Sequence, residues 1–118
     1  MIWNYVREQK PRATNRRRYR RHTVAQMRAE IDQTKARIQD ISEASVRVIG
    51  APSWLVPGQG IAMRLIFPTP KKEIRIPIYG QVLRRSEICL IVIYSRPLDH
   101  WSISFKTLID AGHNLVSA

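Results

Sequence analysis

Residues 15–22 read "NRRRYRRH", with arginines at 16, 17, 18, 20 and 21, five guanidiniums in six consecutive positions interrupted only by Tyr19. Charges this close repel one another, so the run gains nothing from folding on itself and is suited to an anion. Guanidiniums clamp phosphates bidentately, meet the O6/N7 edge of a guanine and stack on a purine face. A second polar stretch, "QDISEAS" (39–45), offers a carboxylate at Asp40 and hydroxyls at Ser42 and Ser45. Asp40 and Ser42 alternate with Ile41 and would share one face of an extended strand. A carboxylate accepts from the N–H groups on the Watson–Crick edge of guanine. A ligand that is both anionic and guanine-bearing would use the whole set. Without such a ligand, the arginines read as a solvated basic tail or lipid-held residues, and Asp40 and Ser42 as a strand-end turn.

Whether the two groups meet depends on the elements between them. In "HTVAQMRAEI" (22–31), Ala25, Met27, Ala29 and Ile31 alternate with Gln26, Arg28 and Glu30, which predicts a half-buried strand. Asp32 and Gln33 form a turn, and "TKARIQDI" (34–41) alternates again, with Ala36 and Ile38 facing inward. A hairpin centred on that turn puts Ser42 across from Thr23 and Ala44 across from Arg21, so the arginine run ends beside residues 39–45. A third strand is expected in "SVRVI", with Arg47 as its outward residue. "GAPSWLVPGQG" (50–60) is a loop in which Trp54 packs down. Ile61, Met63, Leu65 and Phe67 mark another strand. Ile74, Ile76 and Ile78 mark the next, where Pro77 and Gly80 imply a bulge or an edge. "ICLIVIY" (88–94) is a strand apolar on both faces. The period then changes: Leu98, Trp101, Phe105, Leu108 and Ile109 describe an amphipathic helix, with Asp99 as N-cap and Gly112 as its stop. The pattern predicts an all-β fold: a small six-stranded antiparallel β-barrel over about 22–95 with a C-terminal α-helix over about 98–112.

Composition narrows the function classes. A chain of 118 residues fits one domain, here 16–118, behind a linker or arm at 1–15 that lacks periodicity and contains Pro11. The formal charge is +11; residues 1–22 carry eight Lys/Arg against Glu8, a net +7, which leaves +4 for the rest. The basicity therefore belongs to a flexible arm, suited to a phosphate-bearing partner or an anionic surface. The single Cys89 excludes an intramolecular disulfide and fits a reducing compartment. No apolar run approaches the ~20 residues of a spanning helix, so the polypeptide taken alone is expected to be soluble. His22, His100 and His113 lack metal-ligand spacing, and no nucleophile motif occurs, so neither a metal site nor an enzyme is expected.

"RRYRR" (17–21) has the spacing RxxxR, and "DISEAS" (40–45) is similar to DxSxxG. With these two motifs the sequence resembles PilZ domains over roughly residues 16–95. The resemblance implies a six-stranded β-barrel that binds cyclic di-GMP as effector. Arg17 and Arg21 would grip guanine edges and phosphates with Arg16 as a neighbouring contact, and Asp40 and Ser42 would take the guanine on the barrel face. Ser45 stands where the family has glycine, which adds a Cβ and a hydroxyl. Arg16 and Arg20 share the same spacing, but Arg21 lies nearer the hairpin. "YSRPLDHW" (94–101) resembles the segment after the barrel in catalytic subunits of bacterial cellulose synthases, and "IWN" (2–4) is similar to the end of their last membrane helix.

These matches imply a regulatory piece of a membrane glycosyltransferase, at the cytoplasmic face, whose partner is the glycosyltransferase domain of the parent chain. In that family the messenger draws away an RxxxR-region arginine that tethers a gating loop over the active site; by this resemblance Arg17 would be the equivalent here. No nucleic acid polymer is expected, and the membrane enters only through the parent protein. Two rivals remain open. One is a basic barrel binding RNA or single-stranded DNA, against which the aromatics are not interleaved on any one strand face. The other is a degenerate docking domain without ligand.

Overall fold

The computed structural model describes residues 19–117. Arg16, Arg17 and the arm at 1–15 lie outside the described residues. Six antiparallel strands, β1 (Arg28–Ile31), β2 (Thr34–Ile41), β3 (Ser45–Ile49), β4 (Gly60–Pro68), β5 (Glu73–Arg85) and β6 (Cys89–Tyr94), precede one helix, α1 (Trp101–Ser117). The strands close in the order β1-β2-β3-β6-β5-β4, with β4 also pairing β1. The all-β barrel with a C-terminal helix expected from the sequence is what the chain forms.

Alternation decides which side chains fill the barrel. Ala29, Ile31, Ala36, Ile38, Val46, Val48, Met63, Leu65, Ile76, Ile78, Leu90 and Val92 all point inward into one cluster. Their outward neighbours are largely charged: Arg28 pairs with Glu73, and Glu30 receives Arg64 and Arg75 across the β1–β4–β5 face. The hydrogen bond from Arg75, then its charge and that of Arg64, outweigh desolvation and hold the Glu30 carboxyl below its ordinary range.

The β1–β2 hairpin turns at Asp32 and Gln33, both at positive φ (48° and 69°), as a two-residue loop of this twist requires. Its register, Arg28↔Arg37 through Ile31↔Thr34, is the expected one. The first strand is shorter than its pattern predicts. Met27 N–H donates to Val24 O across a turn in which Gln26 takes φ 70°, so Ala25 is thrown outward and Val24 buried instead. The period-2 reading of 22–27 fails there because a local turn competes with the ladder.

Pro77 lies where β5 is paired on one side only, the local edge that the sequence implies, while the bulge lies further on, between Val82 and Arg84. Pro77 pairs with Arg64 of β4 and lies beyond the reach of β6, whose last partner is Gly80, so its missing N–H costs no ladder bond on that side. A Cβ on Gly80 would stand 2.2 Å from Ile93 O; glycine is needed because β5 and β6 approach too closely for any side chain. Trp54 is 54% exposed rather than packed down; Leu55 holds that loop, helped by Arg85 Nη1 donating to the Pro52 and Leu55 carbonyls.

The helix closes one end of the barrel with Trp101, Phe105 and Ile109, each stacked one turn apart and buried. Phe67, Tyr94 and Trp101 meet edge-on there. Its limits differ from the sequence reading. The first intrahelical bond is Ser104 N–H to His100 O, so His100 at φ 58° takes the cap position in place of Asp99. Leu98 stays exposed. The helix runs through Gly112, whose absent Cβ would lie 2.7 Å from Val24 Cγ1. That glycine serves close packing, not termination.

Candidate ligand site

The end of the arginine run, at Arg21, is brought to the second polar stretch by the backbone bridge of the next residue. His22 N–H donates to Ile41 O at 2.8 Å and Ile41 N–H returns to His22 O at 2.9 Å. The turn around Ala25 and Gln26 takes up two residues, so His22 pairs with Ile41 and not with Glu43 as a regular hairpin would have it. Arg21 is thereby drawn past Ala44, its expected partner, to the end of β2. Its Nε donates to Asp40 Oδ1 at 2.6 Å and its Nη1 to Ser45 Oγ at 2.6 Å, while Nη2 completes the ion pair with Asp40. Asp40 is also paired directly with Arg47 across the β2–β3 ladder, and Arg47 Nη1 stands 3.6 Å from Asp40 Oδ2.

Ser42 does not share this face. It is fully buried, because the chain leaves β2 after Ile41 and turns: Ser42 N–H donates to Ser45 O, and the Ser42 hydroxyl accepts from the amides of Ala44 and Ser45 at 3.2 and 3.1 Å. Ser42 thus shapes the turn that carries its neighbours. Ser45 is equally buried and its hydroxyl lies 3.3 Å from that of Ser42, which extends a polar chain from Arg21 inward. Ser45 does not adopt positive φ, so the backbone freedom of a glycine is not called on here.

Three contacts fix this turn to the rest of the molecule. Tyr94 OH donates to Ser42 O at 2.6 Å, Trp101 Nε1 donates to Glu43 O at 3.1 Å, and Ser102 Oγ donates to Glu43 Oε1 at 2.6 Å. Burial raises the Tyr94 phenol pKa, which keeps it a donor at any physiological pH. On the other flank, His22 rests edge-on against Phe105 at a centroid separation of 5.7 Å. Burial first, then the charges of Arg20 and His113, hold the His22 imidazole below its ordinary pKa, so it is neutral where it packs.

Two guanidiniums therefore share one carboxylate, leaving a surplus positive charge. Arg47 Nε is buried without a hydrogen-bond partner among the described residues. Such a donor is costly to leave unmatched and is suited to the oxygen of an anion or the acceptor edge of a purine. Arg47 is the participant that sequence reasoning left as an ordinary outward residue. The signal was available in the β2–β3 register, which opposes it to Asp40. No helix among the described residues is long and apolar enough to cross a membrane.

No protein-family model matches the chain. No curated protein sequence matches it either. Solved structures do. An uncharacterized protein of Legionella, Lpg0364, superposes with a TM-score of 0.58 at 11% identity, over 85% of this chain and 100% of that one. The inhibitor of motility MotI/DgrA of Bacillus subtilis superposes with a TM-score of 0.63 at 17% identity, over 86% of this chain and 52% of that one. The chain thus spans about half the length of MotI/DgrA. At these identities the likeness is one of fold.

Proposed function

We propose that this chain is a non-catalytic regulatory domain of the PilZ kind that binds cyclic di-GMP. The observation that carries the reading is the direct contact of Arg21 with both Asp40 and Ser45: the end of the RxxxR run and the DxSxxG-like stretch, remote in sequence, form one charged cluster on the barrel wall. Cyclic di-GMP brings two phosphates for the surplus guanidiniums and guanine N–H groups for Asp40. Arg16, Arg17 and Arg21 grip phosphates and guanine edges, Asp40 and Ser45 line the barrel side, and Ser42 acts by holding the turn. The fold likeness to MotI/DgrA is compatible with a small regulatory barrel.

The switch follows from electrostatics. Free, the arm repels itself and its last arginine is held by Asp40. The dinucleotide cancels part of that charge and folds the arm onto the barrel, a differential contact of the kind any ligand-linked change requires. In the parent context proposed here, a cellulose synthase at the cytoplasmic side of a membrane, that folding takes Arg17 from a gating loop of the glycosyltransferase domain and relieves autoinhibition.

Isothermal titration calorimetry with cyclic di-GMP tests the ligand. The unaltered chain is expected to bind at micromolar concentration or tighter, and Arg21→Ala and Asp40→Ala to weaken binding by roughly tenfold or more, as loss of a charged hydrogen bond does. Absence of binding by the unaltered chain sinks the reading; normal binding by both variants sinks the residue assignment.

A further inference from the structure

A row of outward side chains leaves the Arg21–Asp40 pair and crosses the barrel wall, and the core does not account for it. Arg47 is opposed to Asp40 on one side and to Ile91 on the other, and Ile91 is opposed in turn to Arg84. Leu90, Val92 and Tyr94 belong to the interior cluster; Ile91 does not, yet it is only 7% exposed. An outward isoleucine this dry is covered from outside, and the stems of the flanking arginines are placed to do it. One step along, Ser45 is opposed to Ile93 and Ile93 to Gln81, with Ile93 half-buried. The result is an apolar floor of half-buried Ile93 and the aliphatic stems over Ile91, bounded by Asp40 and Ser45 at one edge and by Arg84 and Gln81 at the other. Adjacent strands lie ~4.8 Å apart, so the row from Asp40 to Arg84 spans about 14 Å, enough for its ends to touch different halves of a two-nucleotide ligand.

We infer that the ligand site continues past the motif residues over this floor, with Arg47 as a second phosphate-gripping guanidinium and Arg84 as the wall against which the second base of the dinucleotide lies. The inference rests on the cyclic di-GMP reading given above. Arg47 is equipped for the role: it shares Asp40 with Arg21, and its buried Nε has no hydrogen-bond partner among the described residues. Arg84 is exposed and forms no ion pair among the described residues, so its planar cation is free to stack. A purine lying on aliphatic carbon beneath a guanidinium uses each surface for what it offers, desolvation below and stacking above.

Calorimetric titration of cyclic di-GMP against the unaltered chain, Asp40→Ala, Arg47→Lys, Arg84→Gln and Arg37→Gln tests it. Arg37→Gln is the control, since Arg37 is an exposed arginine of the same wall, opposed to Ile49 and off the row. Arg47→Lys keeps a cation beside Asp40, so the variant retains its fold, which thermal melts verify. Arg47→Lys and Arg84→Gln are each expected to weaken binding about tenfold, and Arg37→Gln by no more than about twofold. If the unaltered chain binds and Asp40→Ala weakens it, but Arg47→Lys and Arg84→Gln match the control, the extended floor is overturned while the cyclic di-GMP reading stands. If the unaltered chain does not bind, that reading itself falls.

Discussion

Arg21 gives Nε to Asp40 and Nη1 to Ser45, each at 2.6 Å, so in the free chain the arginine nearest the barrel is already engaged. A ligand must compete with both acceptors, and the second exists only because serine occupies position 45. Ser45→Gly removes that competitor and also the hydroxyl beside Ser42. We expect cyclic di-GMP affinity to rise a few-fold while unfolding free energy in urea falls by about 1–2 kcal/mol, from the lost hydrogen bonds and the glycine at the start of β3. Unchanged affinity would show that Ser45 does not compete. His22 makes a separate prediction. Its folded pKa lies below the ordinary 6.5, because of burial first and then of Arg20 and His113, against the weaker opposing pull of Asp110 and Glu43. The unfolded chain therefore takes up the proton more readily than the folded one. The contribution of neutral His22 is intact above the unfolded value of 6.5 and is lost as pH falls through it towards the folded pKa. Melting temperature is expected to fall more between about pH 7 and about pH 5.5 in the unaltered chain than in His22→Gln, which does not titrate.

Among the elements, α1 does most to fix the site, because it closes the barrel end and donates from Trp101 and Ser102 to the turn that carries Ser42 and Ser45. Its seat depends on Gly112. A helical Gly→Ala exchange ordinarily stabilises by about 1 kcal/mol, but here the new methyl would stand 2.7 Å from Val24 Cγ1, on a short β-branched side chain with little room to rotate. Gly112→Ala is expected to lower the melting temperature, and Val24→Ala in the same chain to recover part of the loss; a simple gain from Gly112→Ala would refute the close packing. The same residue shows what the sequence could and could not reveal. The strands were legible because alternation is local: Ala36/Ile38, Val46/Val48 and Ile61/Met63/Leu65/Phe67 each declare a face. The helix was legible from Trp101, Phe105 and Ile109. Gly112 was misread as a stop because its reason is a contact with Val24, 88 positions away, which no local pattern records. Likewise the meeting of Arg21 with residues 40–45 followed from the hairpin, but its partners shifted because the turn at Gln26 consumed two residues. Ser42 looked exposed only while β2 was assumed to continue straight.

Closure of the sheet and the distribution of charge set what the whole molecule can do with a ligand. Since β4 pairs with both β1 and β5, the sheet closes on itself, and the cluster of Arg21, Asp40 and Arg47 lies on its outer wall. If cyclic di-GMP binds there as proposed, it works chiefly by neutralising charge. The chain carries +11, of which +7 falls in residues 1–22, and such self-repulsion weakens the compact state. Two opposite salt responses should follow. Without ligand, added sodium chloride screens the repulsion and raises the melting temperature. With ligand, the same ions screen the phosphates from the arginines and shrink the ligand-induced increment. At a hundred times the dissociation constant a ligand adds about 2.7 kcal/mol, which for a domain of this size is a rise on the order of 10 °C. Melting curves with and without cyclic di-GMP at about 20 mM and about 500 mM salt separate the terms, since the screening length falls severalfold between them. A ligand increment that survives high salt undiminished would place the binding energy on the Ile91–Ile93 floor and not on the guanidiniums. It would also remove the electrostatic reason for the arm to fold.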